Sequence, residues 1–184
     1  NIVYTYDETA NGNKGIGRLT RITEATGSTQ YVYNGFGQVT EETRVINGHT
    51  YITSYHYNNH GILNSITYPS GRSIQYLYNA GGQIDSITSI YNGVSKILTN
   101  NTHYLPFGPL NTFDYGNGVS HTNTYDLDYR LTNSSNSLQT KGYQYSWVDN
   151  ITNISDSLTS DNQSFTYDPL QRLKTANKTG DALT

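Results

Sequence analysis

The sequence has no cysteine and no methionine, one tryptophan and four prolines. Without cysteine there is no disulfide framework and no thiolate zinc site, and the compartment stays open, since a secreted bacterial protein need carry no disulfides. Without methionine, and beginning at Asn1 in mid-phrase, the chain reads as a processed, trimmed or excerpted stretch of a longer protein. Charge is scarce as well: charged residues make up 14% and the net charge is -3. No basic run offers a footprint for a phosphate backbone, so nucleic acid is not an expected partner. No apolar run approaches the length of a membrane helix or signal-peptide core; no membrane span is expected, and any export signal lies outside this stretch.

The polar bulk is Asn, Ser and Thr, and tyrosine occurs eighteen times. Tyr, Ile, Val and Thr favour strands and supply area to bury, which argues for ordered β structure over disorder.

One phrase recurs in a single frame: Tyr4-Thr5-Tyr6-Asp7, Tyr31-Val32-Tyr33-Asn34, Tyr55-His56-Tyr57-Asn58, Tyr76-Leu77-Tyr78-Asn79, Asn123-Thr124-Tyr125-Asp126, Tyr143-Gln144-Tyr145-Ser146 and Phe165-Thr166-Tyr167-Asp168. Several copies continue with two residues, a Gly and a polar-apolar run, as in Gly37-Gln38-Val39-Thr40; the first carries a longer insert. Asn101 to Gly108 reads as a degenerate eighth unit. Period-two alternation puts both rings of Tyr-x-Tyr on one face of a strand. The Asp or Asn that follows can accept a bond from the backbone two residues on, and the Gly supplies the positive φ that closes the turn. Where Tyr129, Asn150 and Gln171 stand in place of that Gly, Tyr and Gln tolerate positive φ poorly, so two of those turns are expected to be built differently.

Between the copies lies a second set of turn signals at Gly27-Ser28, Asn47-Gly48, Pro69-Ser70-Gly71, Asn92-Gly93 and Gly116-Asn117-Gly118. Asn-Gly between apolar runs is a strong hairpin signal. The expectation is an all-β antiparallel meander, two strands per repeat, with tyrosines of neighbouring copies stacked in ladders across the sheet. Leu19 and Ile22, like Leu63 and Ile66, sit three apart; this breaks strict alternation and leaves open a bulge or a sheet apolar on both faces.

Tyr-x-Tyr-Asp-x-x-Gly-Arg-Leu-Thr resembles the signature of the RHS, or YD, repeat family, from Tyr4 to about Ala176. "YTYDETANGNKGIGRLTRI" is similar to its inserted variant, "FTYDPLQRL" to a copy lacking the Gly. The resemblance implies a curved β-sheet strip wound as a spiral β-solenoid shell, which in bacterial toxins encloses a C-terminal effector and in teneurin-like proteins serves adhesion. Residues 1–184 then form a single region of about seven to eight repeats. About fourteen to sixteen strands at roughly 4.8 Å give some 65–75 Å of sheet, too little to enclose a toxin domain alone. Such shells often end in an Asp-Pro-x-Gly cleavage motif; Asp168-Pro169-Leu170-Gln171 lacks the Gly and reads as a turn.

Candidate chemistry is thin. His56 and His60 have helical ligand spacing, but bracket a strand entering a turn; Asp126 and Asp128 suggest a metal pair, but Asp126 is the repeat's turn residue. Nothing sets Glu41, Glu42 or Asp114 across a cleft, and no nucleophile elbow or phosphate loop is present. Asn-x-Ser/Thr triplets stand at Asn100, Asn133, Asn150, Asn153, Asn162 and Asn177, glycan acceptors only if the source modifies them.

The function expected is therefore structural, not enzymatic, and without cofactor or metal: a wall segment of a secreted or cell-surface RHS-repeat protein, with further repeats and an enclosed effector of the same protein as partners. Tyr6, Tyr33, Tyr57, Tyr78, Tyr125, Tyr145 and Tyr167 would carry the ladders, and Asp7, Asn34, Asn58, Asn79, Asp126 and Asp168 the turns. Two alternatives stand beside it. Trp147 could anchor a platform for surface glycans, or identical subunits could pair through open sheet edges into a filament.

Overall fold

A computed structural model describes residues 1–106, 108–159 and 161–179. Hydrogen bonding follows sequence order through one open sheet of sixteen antiparallel strands. The chain divides into two compact units, Asn1–Ile97 and Leu98–Thr184. The first holds β1 (Val3–Tyr6), a 3₁₀ turn (Ala10–Gly12), β2 (Leu19–Glu24), β3 (Gly27–Tyr33), β4 (Val39–Ile46), β5 (His49–Tyr57), β6 (Leu63–Thr67), β7 (Ser73–Tyr78) and β8 (Ile84–Tyr91). Strand β9 (Val94–Tyr104) runs through the boundary. The second holds β10 (Leu110–Tyr115), β11 (Ser120–Tyr125), β12 (Leu131–Asn136), β13 (Thr140–Tyr145), β14 (Ile151–Asp156), β15 (Asn162–Tyr167) and β16 (Leu173–Thr179).

The three-residue spacing of the apolar positions has a local cause. In seven strand pairs the register slips by one just before the second tyrosine, for example between His56 and Tyr57 and between Leu77 and Tyr78. Tyr57 pairs with Leu63 and Tyr55 with Ile66, so the extra residue of the bulge brings both apolar side chains to the tyrosine face. Leu19 and Ile22 reach that face in the same way, opposite Tyr6 and Tyr4. Of the two explanations the spacing allowed, the bulge is the one found.

Among the described residues no apolar side chain is buried. The chain leaves 12404 Å² exposed, against about 8,900 Å² for a compactly folded monomer of this mass. Backbone pairing and half-covered side chains therefore carry the fold, in place of a core.

The connections between repeats correct one expectation. Asn47-Gly48 and Asn92-Gly93 have positive φ at both residues, as a two-residue hairpin turn requires. Gly27 lies inside β3 and the turn precedes it at Ala25-Thr26; a Cβ at Gly27 would sit 1.9 Å from the Val45 carbonyl oxygen, so glycine is there for close strand approach.

Candidate functional site

The unit of construction is the turn after the second tyrosine. In the Asn34 copy, Oδ1 accepts from the N–H of Phe36 at 3.0 Å and of Gln38 at 3.1 Å. The Asn34 N–H donates to the Gln38 carbonyl and the Gly37 N–H to the Asn34 carbonyl. Asn58, Asn79, Asp126 and Asp168 repeat this arrangement, with side-chain acceptor distances of 2.9 to 3.0 Å. Ser146 does the same with its hydroxyl at 3.3 and 3.2 Å. Asp7, in the inserted copy, instead accepts from the Gly17 N–H. Leu105 closes the equivalent backbone bonds with Pro109 and Gly108, so the degenerate stretch makes the same kind of turn.

The closing residue has positive φ whether or not it is glycine: Gly37, Gly61 and Gly82 lie at 74 to 79°, Tyr129 at 60° and Gln171 at 61°. The expectation that Tyr129 and Gln171 build different turns is thus overturned. Left-handed backbone costs about 1–2 kcal/mol in an L-residue, and a single oxygen accepting two N–H groups offsets it. In the Ser146 copy the closing residue is Asp149, with φ 65°, and Asn150 takes the next place, one position from the sequence alignment.

The tyrosine hydroxyls tie repeat to repeat. Tyr33 donates to the Leu19 carbonyl at 2.7 Å, Tyr57 to Val39 at 2.8 Å and Tyr78 to Leu63 at 2.6 Å. In the second unit Tyr125 donates to Leu110 at 2.7 Å, Tyr145 to Leu131 at 2.8 Å and Tyr167 to Ile151 at 2.8 Å. Each acceptor is the first residue of the strand that follows the preceding repeat's turn. Tyr6, in the first copy, is more than half exposed.

Stacked ladders are not what forms. Among the described residues the ring pairs join Phe113, Tyr115 and His121, and none joins two tyrosines of the repeat phrase. Successive copies lie two strands apart, about 9.6 Å, beyond the 4.5–7 Å of aromatic pairs.

Burial pushes the Tyr57 and Tyr78 phenols above their ordinary value. Hydrogen bonds from the Arg172 backbone, then its side chain, hold Asp168 below the usual carboxylate range. For Asp126 burial pulls upward and is outweighed by bonds from Arg130 and the Asp128 N–H.

Other candidates resolve into structure. Asp126, Asp128 and Asp149 all pair with the Arg130 guanidinium, at 2.7, 3.4 and 2.6 Å. Among the described residues no group of three or more His, Asp or Glu could hold a metal ion. His60 stands in a turn and His56 on β5. Glu41 accepts from Thr43, Glu42 pairs with Arg44, and Asp114 accepts from Ser120 and Asn101. Trp147 projects from its turn with 92% of its surface exposed. No described helix is long and apolar enough to cross a membrane.

Sequence reasoning missed the residue after the closing position, which straps one turn to the next. The Gln38 amide donates to the Gly61 carbonyl at 2.6 Å, and Arg130 reaches Asp149. It also missed the carbonyl acceptors. Every Asn, Asp or Ser turn except the inserted one at Asp7 is followed five residues later by Leu, Ile or Val, a visible signal, but nothing in the letters says that the backbone oxygen is the group used.

The RHS Repeat family model matches residues 15–50 and again 33–73. No curated protein matches the chain. Among solved structures, TcdB2-TccC3 is similar with a TM-score of 0.79 at 17% identity, and the TcdB2-TccC3-Cdc42 structure with 0.77 at 17%, each covering 95% of this chain. The Photorhabdus luminescens Tc holotoxin pore, with a mutation in TccC3, is similar with 0.77 at 18%. This chain spans about 10% of the length of each of those chains. Together these likenesses support an RHS/YD-repeat family: residues 15–73 match the RHS repeat, and the fold is similar to a stretch of those toxin-complex structures over 95% of the chain.

Proposed function

We propose that this chain is a stretch of wall in a larger RHS-repeat shell, secreted or at the cell surface, whose remaining repeats complete an enclosure around an effector domain of the same protein. The observation that carries the reading is the tyrosine hydroxyl bond. Each repeat donates from its own strand end into the backbone of the repeat before it, so a repeat is completed by its neighbour and by no core of its own. A sheet built by such links extends without limit of length, as a wall requires. The likeness to a tenth of the TcdB2-TccC3 chains supports the same scale.

The test uses the intact protein that contains these repeats. Under limited proteolysis the segment following the repeats should stay uncut while the wall is folded, and become cleavable when mild denaturant opens it. Cleavage of that segment at the same rate before and after opening would contradict enclosure.

A further inference from the structure

Five asparagines are followed directly by glycine: Asn11, Asn34, Asn47, Asn92 and Asn117. The pair carries a chemistry of its own. Glycine has no Cβ to shield its backbone nitrogen, and once that N–H has given its proton to solvent base the nitrogen can attack the side-chain Cγ of the asparagine before it. A C–N bond forms, the carboxamide nitrogen takes up a proton and leaves as ammonia, and a five-membered cyclic imide remains. Water then adds to one imide carbonyl or the other, opening the ring to aspartate or to isoaspartate, in which the main chain runs through the side-chain carbon. The balance needs water and no oxidant, reductant or enzyme. From the structure it needs a glycine N–H without a partner, a carboxamide free to swing, and a backbone free to bring them together.

Three of the five pairs are held. Asn34 Oδ1 accepts from Phe36 and Gln38, and its Nδ2 donates to Gln38 Oε1 at 3.0 Å, so this carboxamide is fixed at both atoms. Asn117 Oδ1 accepts from the Val119 N–H at 3.1 Å, while the nitrogen that would attack, that of Gly118, donates to the Tyr115 carbonyl at 2.8 Å. Asn11 lies inside the turn that the Asn13 N–H closes on the Ala10 carbonyl. Asn13 is itself buried, donating to the Tyr31 carbonyl at 3.0 Å and accepting from the Tyr33 N–H at 2.8 Å, so that turn is pinned to β3.

The other two stand at hairpin tips, Asn47-Gly48 between β4 and β5 and Asn92-Gly93 between β8 and β9. All four residues are exposed. Among the described residues neither carboxamide is hydrogen-bonded, and neither the Gly48 nor the Gly93 N–H has a partner. The tips differ in one bond: the Asn47 N–H donates to the Thr26 carbonyl at 3.0 Å, whereas Asn92 makes no such tie. Tyr91 and Val94, on either side of the second tip, are 40% and 69% exposed, so little packs against it. Hairpin ends of this kind open at small cost, without unfolding of the sheet.

We infer that Asn92 is the site at which this chain first loses a side-chain amide, with Asn47 second and Asn11, Asn34 and Asn117 protected by the fold. The two products act differently on the tip. Aspartate keeps a turn that Asp-Gly serves as well as Asn-Gly and adds one negative charge. Isoaspartate lengthens the backbone of a two-residue loop whose length sets strand register, and so loosens the end of the hairpin. The inference holds whether or not the repeats enclose an effector.

The intact chain would be kept in mildly alkaline buffer, folded and in parallel unfolded in urea, until the unfolded sample has converted, and both mapped by peptide mass spectrometry with chromatographic separation of the aspartate and isoaspartate forms. In the folded chain Asn92 should convert first, then Asn47, with Asn11, Asn34 and Asn117 at least tenfold slower than Asn92. In urea the five rates should converge. Asn92→Asp should fold alike by circular dichroism, release ammonia more slowly and leave Asn47 as the leading site. An intact Asn92 in the folded sample, Asn47 ahead of it, any of the three held asparagines keeping pace with it, or the folded ranking persisting in urea would overturn the inference.

Discussion

The two units solve the same turn with different chemistry. Outside the inserted Asp7 turn, the first uses the neutral amide of Asn34, Asn58 or Asn79; the second uses the carboxylate of Asp126 or Asp168, each paired with an arginine four residues on, or the hydroxyl of Ser146. The faces differ in step. The first unit sets Tyr31, Tyr55 and Tyr76 behind its linking tyrosines, opposite Glu42, Ile66 and Ile87. The second sets Asn123, Tyr143 and Phe165 there, and its neighbouring strands bring His121, Ser134 and Lys141 to that face. One backbone frame thus accepts neutral or charged acceptors, because geometry asks only for an oxygen in reach of two N–H groups.

The largest expected consequence is opposite pH sensitivity. In the first unit burial raises the phenols of Tyr31, Tyr55, Tyr57, Tyr76 and Tyr78, with Glu42 adding to the first two. A raised folded value stabilises below the unfolded pKa, about 10, and that contribution is lost as pH climbs through the folded values. In the second unit Asp114, Asp156 and Asp168 are lowered, first by Ser120, Gln139 and the Arg172 backbone respectively, and Asp126 by the Arg130 and Asp128 bonds that outweigh its burial. That stabilisation is present above about pH 4 and lost as pH falls through the folded values. Residue-resolved amide exchange should therefore show the second unit opening first in acid and the first unit opening first in base. Glu8, lowered chiefly by the Thr20 hydroxyl, is the first unit's acid-sensitive point. Simultaneous opening at both extremes would erase the contrast.

Next in size is Tyr57→Ala, expected to cost roughly 2 kcal/mol, less than a fully buried ring because Tyr57 is half-buried. Urea unfolding followed by exchange should place the damage in β4 to β6. Tyr145→Ala should behave alike in β12 to β14.

Smaller still is the exchange of acceptors. Asn58→Asp should leave stability near pH 7 within about 0.5 kcal/mol and give the first unit a new loss below pH 4, measurable as a shifted acid midpoint. The smallest expected effect is that of Gln171→Gly. Relief of positive φ is worth about 1 kcal/mol, part of it cancelled by loss of the Asn150 to Gln171 hydrogen bond, so thermal unfolding should show a slight gain.

Much of this was written in the letters. The strand class, the repeat frame and the Asn-Gly hairpins follow from alternation and from residues that tolerate positive φ. Leu63 and Ile66 announced an irregularity, though only pairing to Tyr57 and Tyr55 shows it to be a bulge. What stayed hidden is of two kinds. Tyr129 and Gln171 break a local preference that the Asp126 and Asp168 oxygens offset from outside the position itself. Backbone acceptors such as the Leu63 carbonyl have no residue type, so Tyr78 gave a ring to place but not its partner.

The central claim is that the second tyrosine of each phrase bolts its repeat to the one before through its hydroxyl. Equilibrium urea unfolding of Tyr57→Phe/Tyr78→Phe against Tyr55→Phe/Tyr76→Phe tests this directly, since Tyr55 and Tyr76 make no hydroxyl hydrogen bond among the described residues. The first pair should lose about 1 kcal/mol per hydroxyl and the second almost nothing. Equal losses, or none in either, would contradict it.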